Sequence, residues 1–383
     1  MDWYAKTRAR ERIAGLAGQG LDLVAFWNAS SDALSSAVPH DLTPCWFTLD
    51  PASLLVTSHY DHGVIPELPQ EWLAHEYFVD DFQKMADVAR SERGISTLHE
   101  ATGGDPGRSP GWNLYMRPYG AEQELLLALR TATGEVWGML GLYREPGQRL
   151  FDDEERDFLR QLSPYLAEGA RRGLLVGEAS DPDGPDAPGL VVLNGDWSVE
   201  SMTPGVERWL SELPDGDWAR GDLPSAVYAV AGRAMRTAAN GESSGEIAVA
   251  RVLSRTGRWI VLHGAALQSG GSRRAAVIVE PAHPARIFPL LMAAYRLTDR
   301  EQDVTRLVLQ GSSTAEIALS LSISTHTVQQ HLKSVFEKTG VRSRRDLVGK
   351  VFFSHYEPRL RDNEQRVAAG RPVRGGPLPT TRS

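Results

Sequence analysis

Cysteine is almost missing from the chain. One residue, Cys45, in 383 excludes an internal disulfide and any cysteine-rich zinc site, and it points to a reducing compartment. A lone thiol of this kind reads as a small buried hydrophobe. Long apolar runs are missing as well: no stretch reaches the ~18–20 residues that a membrane helix needs. The opening Met1-Asp2-Trp3-Tyr4, followed by Lys6, Arg8, Arg10, Glu11 and Arg12, lacks the apolar centre of a signal peptide. A soluble cytoplasmic protein without membrane contact is therefore expected. There is no nucleophile elbow, phosphate-binding glycine loop, metal-ligand cluster or phosphorylatable receiver pattern, so neither an enzyme nor a cofactor is expected. His59 and His62 stand at H-x-x-H spacing without a third ligand, and no haem or flavin attachment signature accompanies His263, so these histidines are read as structural.

What is present divides by charge. With 42% hydrophobic and 23% charged residues the composition is globular, and the length suggests two or three domains. The net charge of -8 taken alone argues against a nucleic-acid binder. The distribution reverses that inference. From Arg296 to Ser383 there are 15 Lys and Arg against 9 Asp and Glu, while the residues before carry 26 against 40. A basic end on an acidic body is what is expected when one module meets phosphate and the rest does not.

The body reads as two α+β parts. In residues 1–175, helical stretches over 3–30 precede strands at Cys45–Leu49 and Leu54–Thr57, and a helix is expected over 80–90 with Phe82, Met85, Ala86 and Ala89 on one face. A Gly/Pro-rich loop fills 101–113. Strands Glu124–Arg130 and Val136–Tyr143 form a hairpin, and Asp152 with Glu155 sets a capping box for a helix that Pro164 would kink. Residues 176–188, dense in Pro, Gly and Asp, read as a linker. In residues 189–284, Asn194-Gly195 marks a hairpin. Helices are expected near Thr203-Pro204 and over Pro224–Ala239, and then three strands over Ile247–Leu253, Trp259–Ala265 and Ala275–Glu280. Trp46, Phe47, His59, Tyr60, Trp112 and Tyr115 are candidate pocket aromatics, although core packing is the commoner role.

The C-terminal part is the most specific. Residues 285–296 carry an apolar stripe of Ile287, Leu290, Leu291 and Ala294, expected as a connecting helix. Within 297–356, Thr298-Asp299-Arg300-Glu301 and Ser313-Thr314-Ala315-Glu316 are capping boxes. A third helix, from about Thr325 to Thr339, places Val328, Leu332, Val335 and Phe336 inward and His326, Gln329, Gln330, Lys333 and Glu337 outward. Glutamine can read adenine bidentately, and lysine can meet phosphate or guanine. A fourth helix follows Ser343, and the basic 357–383 tail reads as disordered.

These residues resemble the LuxR-type helix-turn-helix family, whose pattern Leu-Thr-x-Arg-Glu, Gly-x-x-x-x-Glu-Ile-Ala, Ser-x-x-Thr-Val-x-x-His and Lys-x-Gly-Val-x-x-Arg is met by Leu297–Glu301, Gly311 through Ala318, Ser324 through His331, and Lys338 through Arg344. The resemblance implies a recognition helix reading through Gln329, Gln330 and Lys333. Thr325, Thr327, Lys338 and Arg344 complete the expected DNA-binding set, and Leu347 to Phe352 falls in a dimerising fourth helix. Upstream, the closing Phe151-Asp152-Asp153-Glu154-Glu155 helix after a Gly-containing hairpin resembles a GAF domain over residues 20–173. The hairpin, helices and three strands of 189–284 resemble a PAS domain.

The expected fold is thus a multidomain arrangement of GAF-like and PAS-like α+β sensor domains, with antiparallel sheets and helices, followed by an all-α four-helix helix-turn-helix domain. The expected function is DNA-binding transcriptional regulation. The partners are double-stranded DNA, a second copy of the chain in a homodimer, a small-molecule or protein signal, and RNA polymerase. A regulator that senses a protein partner, and a signal-metabolising enzyme with a helical appendage, are the alternatives.

Overall fold

Leu125, Leu127 and Leu129 alternate with Glu124, Leu126 and Ala128 along one strand, and that period of two decides how the first half is layered. The odd-numbered leucines face one core with Trp46, Leu140, Leu142 and the helix residues Phe158, Leu159, Leu162 and Leu166. Leu126 and Ala128 face another with Phe47, Met139 and Tyr143. The computed structural model describes residues 3–60, 71–174, 188–240, 248–269, 272–282, 288 and 291–348.

The chain falls into two compact units, one made of Met1–Gly177, Pro188–Arg255 and Ile260–Glu280, the other of Glu178–Ala187, Thr256–Trp259 and Pro281–Ser383. In the first, α1 (Trp3–Gly18) and α2 (Leu23–Ser35) precede β1 (Cys45–Leu49), β2 (Val56–Tyr60), α3 (Trp72–Phe78), α4 (Met85–Arg90), β3 (Ile95–Thr97) and α5 (Leu98–Thr102). Then come β4 (Gln123–Arg130), β5 (Val136–Arg144) and α6 (Asp153–Gly173). The sheet runs β2-β1-β5-β4-β3, with Trp46 opposite Leu140 and Leu127 opposite Leu140 from the other side. Asp152 caps α6 in a reciprocal box with Glu155. The helix continues through Pro164, and Ser163 anchors it to β4 by donating to the Ala128 carbonyl at 2.7 Å.

The second half of this unit holds β6 (Gly189–Asn194), β7 (Val199–Met202), α7 (Val206–Glu212), α8 (Ser225–Asn240), β8 (Val249–Leu253), β9 (Trp259–Ser269) and β10 (Ser272–Pro281). Its sheet runs β7-β6-β10-β9-β8, the same winding as the first: the opening hairpin lies at one edge and the last strand pairs with the first. One continuous core joins the halves, from Phe47 and Tyr77 to Val230, Ile260 and Val277. Helices α3 and α8 cross so closely that a Cβ on Gly232 would stand 2.4 Å from the Ala74 carbonyl oxygen. Asp50, 2% exposed, takes Arg251 at its Nε (2.9 Å), Nη2 (2.6 Å) and backbone N–H (2.9 Å). Asp215 accepts from the N–H groups of His59 at 2.8 Å and Ser225 at 3.0 Å.

Several local expectations shift. The helix expected over 80–90 starts only at Met85, because the Glu76 carboxylate rather than a sequence-local cap takes the Met85 N–H, at 2.6 Å; Phe82 is 41% exposed under the Arg108 guanidinium. The strand expected at 54–57 is Val56–Tyr60, since Leu54 turns into the left-handed region (φ 57°). Within the loop expected over 101–113, residues 101–102, 106–108 and 110–113 are helical. The helix expected near Thr203 starts after Gly205 (φ 82°). His62, residues 285–287 and 289–290 of the expected connector, and the chain after residue 348 lie outside the described residues; at 288 and 291–294 the connector is helical.

The second unit is built on α9 (Asp299–Leu309), α10 (Thr314–Leu321) and α11 (Thr325–Thr339). Residues 344–348 are helical again.

Candidate nucleic-acid interface

Three caps fix the frame. Thr298 and Ser313 each form a reciprocal box, with Glu301 and Glu316, and Ser324 accepts from the Thr327 N–H at 3.0 Å. Each cap answers backbone donors that a helix start leaves open. The turn between α10 and α11 passes through Ser322 in the left-handed region (φ 54°), closed by the Ile323 N–H on the Ala318 carbonyl at 3.0 Å. Gly340 (φ 69°) ends α11, where glycine meets no steric penalty.

Within that frame Val304, Val308, Ile317, Ala318, Val328, Leu332 and Val335 are buried. The small Ala318 lets the helices approach. Burial of Val328, Leu332, Val335 and Thr339 leaves the opposite stripe of α11 facing outward: Thr325, His326, Gln329, Gln330, Lys333 and Glu337 are all exposed. Gln330 Nε2 lies 3.2 Å from His326 Nε2. The first turn of α11 contains no acidic residue, so the positive end of its dipole is left for an anion such as phosphate.

The seven expected DNA-binding residues separate into two groups. Thr325, Gln329, Gln330 and Lys333 lie on the exposed stripe. Thr327, Lys338 and Arg344 are committed within the module. The Thr327 hydroxyl pairs with Ser324 Oγ at 2.8 Å. Lys338 Nζ donates to Glu301 Oε2 at 2.6 Å. Arg344 donates to the Ser312 carbonyl at 2.7 Å and to Thr314 Oγ1 at 3.3 Å, which ties the fourth helical segment to the start of α10. Glu301 also takes Ser334 Oγ at 2.6 Å and the Thr298 N–H at 2.7 Å. Burial opposes its ionisation, but the donors from Lys338, Ser334 and Thr298 together hold its carboxyl below the ordinary value. Counting outward positions on α11 does not show which of them the capping end of α9 occupies.

A second concavity lies under the first sheet. It has a volume of about 60 Å³ and is walled by Trp72, His75 and Glu76 of α3, Gln83, Trp112, Tyr115 and Glu124 of β4. Of the aromatics expected at a pocket, Trp112 and Tyr115 are here. Trp46 stacks on Trp27 in the opposite core (4.6 Å between centroids), and Phe47 stacks on His59 (4.8 Å). Glu76 is pushed up to about 8, by burial first and against the pull of Lys84. Glu124 is pushed up to about 7, by burial and then by the Asp81 charge. The sequence signal for this site is an acidic residue on a core-facing position of a leucine-rich strand, and it is easily passed over. Among the described residues no cluster of His, Cys, Asp and Glu could hold a metal ion, and no helix is long and apolar enough to cross a membrane.

Comparison with known proteins separates the two units. Over 55 residues the chain is 50% identical to a putative HTH-type transcriptional regulator of Mycobacterium tuberculosis (strain CDC 1551 / Oshkosh); that is 14% of this chain and spans only 6% of the relative's length. Over 52 residues it is 42% identical to the spore germination protein GerE of Bacillus subtilis (strain 168), a match that takes in 14% of this chain and 70% of GerE. The crystal structure of Escherichia coli SdiA aligns with 90% of this chain and 96% of its own at 12% identity and a TM-score of 0.29. Residues 295–351 match the family described as bacterial regulatory proteins, luxR family. With the capped three-helix frame lying inside that match, the chain belongs to the luxR family of bacterial regulatory proteins.

Proposed function

We propose that the protein is a sequence-specific, double-stranded-DNA-binding transcriptional regulator of the bacterial cytoplasm, with no catalytic step of its own. The carrying observation is the exposed stripe of Thr325, Gln329, Gln330 and Lys333 on a helix whose opposite stripe, Val328, Leu332, Val335 and Thr339, is buried. A helix of this size fits the major groove, where Gln329 and Gln330 offer paired donor and acceptor groups to adenine and Lys333 reaches a phosphate or guanine. One such helix reads only a few base pairs, so a homodimer on two half-sites is the working form. The acidic first unit, with its two sheets of the same winding, serves as a pair of GAF-like and PAS-like sensor domains. Its signal is a small molecule, and RNA polymerase is the partner through which a regulator acts.

Selection of full-length protein against a random duplex pool, followed by anisotropy titrations on the enriched sequence, tests the DNA half of this reading. An enriched site with two related half-sites is expected. Lys333→Ala should flatten the plot of log affinity against log salt by about one unit per half-site. Gln330→Ala should relax discrimination at one base position by ~1–3 kcal/mol. No enriched sequence, or an affinity independent of salt and unchanged when both side chains are removed, overturns the reading.

A further inference from the structure

We propose that the cavity under the first sheet is a receptor site for a small organic cation with N–H donors, an alkylammonium or amidinium head of a few heavy atoms. The inference rests on the sensing half of the proposed function and names the chemical class of its signal.

The cavity wall is rich in acceptors. Gln83 is 7% exposed; its Nε2 donates to the Ser96 carbonyl at 3.0 Å, while its Oε1 is buried without a donor. Ser96 fixes which way the amide points, because a carbonyl there requires the amide nitrogen. A buried acceptor left open in this way is rare in folded proteins and marks a place where a donor from outside belongs. Around it stand three carboxyl groups, of Glu76, Asp81 and Glu124. Asp81 accepts from the Gly111 and Phe82 N–H groups, each at 2.7 Å, and Glu76 from the Met85 N–H at 2.6 Å. The nearby ammonium of Lys84 donates to the Val79 carbonyl at 2.6 Å. Its charge does not hold Glu76 ionised against burial, and Glu124 is raised in the same way. Among the described residues the cavity lining holds three carboxyl groups and no lysine or arginine.

The other walls fit the same guest. Trp72, Trp112 and Tyr115 line the cavity with aromatic rings, whose quadrupoles attract cations. His75 packs edge-on to Tyr115, with centroids 5.4 Å apart; burial lowers its pKa against the pull of Glu71, which keeps the ring neutral. An anion would face the Asp81 carboxylate and the acceptor oxygens of two further carboxyl groups, which an entering cation can ionise. An apolar guest would cover Gln83 Oε1 without a donor. The volume of about 60 Å³ holds a head group of a few heavy atoms, since one water needs ~10–15 Å³ by the same kind of measure.

Isothermal titration of the full-length protein with ethylammonium chloride and acetamidinium chloride tests the assignment, with sodium propionate, ethanol and sodium chloride at matched concentrations as controls. For heads this small, saturable binding at about 0.1–10 mM is expected from the cations alone. Glu124→Gln and Gln83→Leu should each weaken it at least tenfold. The wild-type comparison decides the matter even if either variant fails to fold. No saturable heat from either cation up to 50 mM, on the order of fivefold past that range, means a site filled by water and overturns the inference; so does equal binding of ethanol or propionate. Failure of the two readings is distinguishable, because DNA selection is measured without the probes: selection without cation binding removes this inference and leaves DNA recognition standing, and cation binding without selection does the reverse.

Discussion

Replacing Glu301 with alanine should loosen the DNA-binding module far more than a surface carboxylate normally would. The residue is 4% exposed and gathers three donors: the Thr298 N–H at 2.7 Å, Ser334 Oγ at 2.6 Å and Lys338 Nζ at 2.6 Å. The first two lose their partner, at about 1 kcal/mol each. Lys338 is 31% exposed in its side chain and rehydrates, so its pair adds only ~0.5–1 kcal/mol. The sum is about 2.5–3 kcal/mol. A module of some 55 residues has on the order of 3–8 kcal/mol in total, so much of its stability rests on this one carboxylate. Hydrogen exchange of the full chain, followed on peptides covering α9 and α11, should show protection falling roughly 100-fold, at 1.4 kcal/mol per decade. Because the folded carboxyl titrates below its ordinary value, its contribution is fully present above the unfolded value of about 4.3 and is lost as pH falls through the folded one. Wild-type and Glu301→Ala proteins should therefore converge in acid. A loss under threefold at neutral pH refutes the reasoning. So does a gap between the two proteins that stays constant down to pH 3, roughly a unit below the unfolded value.

The remaining predictions concern backbone and packing. Ser322→Gly should stabilise the module by ~1 kcal/mol, because Ser322 holds a left-handed conformation (φ 54°) that costs a side-chain-bearing residue about that much; a higher denaturant midpoint would show it. Asp50→Ala should cost ~3–5 kcal/mol, since it removes a buried carboxylate that takes three donors of Arg251, and calorimetry of the full chain would record the lowered transition. Gly232→Ala should cost ~2–3 kcal/mol by pushing a Cβ to 2.4 Å from the Ala74 carbonyl oxygen. Gly15→Ala on α1, where nothing lies within 4 Å, should instead gain ~0.5–1 kcal/mol, and this contrast in melting temperature separates a packing cost from the general effect of adding a methyl group.

The parts legible from sequence are those whose determinants are local. The boxes of Thr298 with Glu301 and of Ser313 with Glu316 span three residues each, and the structure forms both. The alternation along Glu124–Arg130 and the box at Asp152 likewise act within a few positions. Short α3 has no side-chain cap bond, and its period of seven residues is too brief to stand out. The start of α4 is set by Glu76, nine positions upstream. The junction between the halves was out of reach for a stronger reason. Arg251 meets Asp50 across 201 positions, and the need for glycine at 232 comes from a helix 158 residues earlier, whose Ala74 carbonyl occupies the space. Lys338 shows the same limit within a motif. Helical periodicity puts it outward from α11, but only the docked start of α9 turns that outward position into an internal ion pair.

Helix α3 connects the cavity to that junction. Trp72, His75 and Glu76 line the cavity, while Leu73, Ala74 and Tyr77 are buried in the core shared by both halves. Tyr77 accepts from the Val56 N–H at 2.9 Å and donates to the Leu54 carbonyl at 3.0 Å, with the Arg233 guanidinium of α8 5.2 Å from its ring centre. Without a cap bond of its own, α3 is held by these contacts rather than by local propensity. The Ala74–Gly232 crossing leaves no slack, and close-packed interiors pass on displacement instead of absorbing it. A rotation of α3 that brought Glu76 toward a guest would therefore have to move α8 or lift Tyr77 from β2. Either path carries the change from the first sheet into the second.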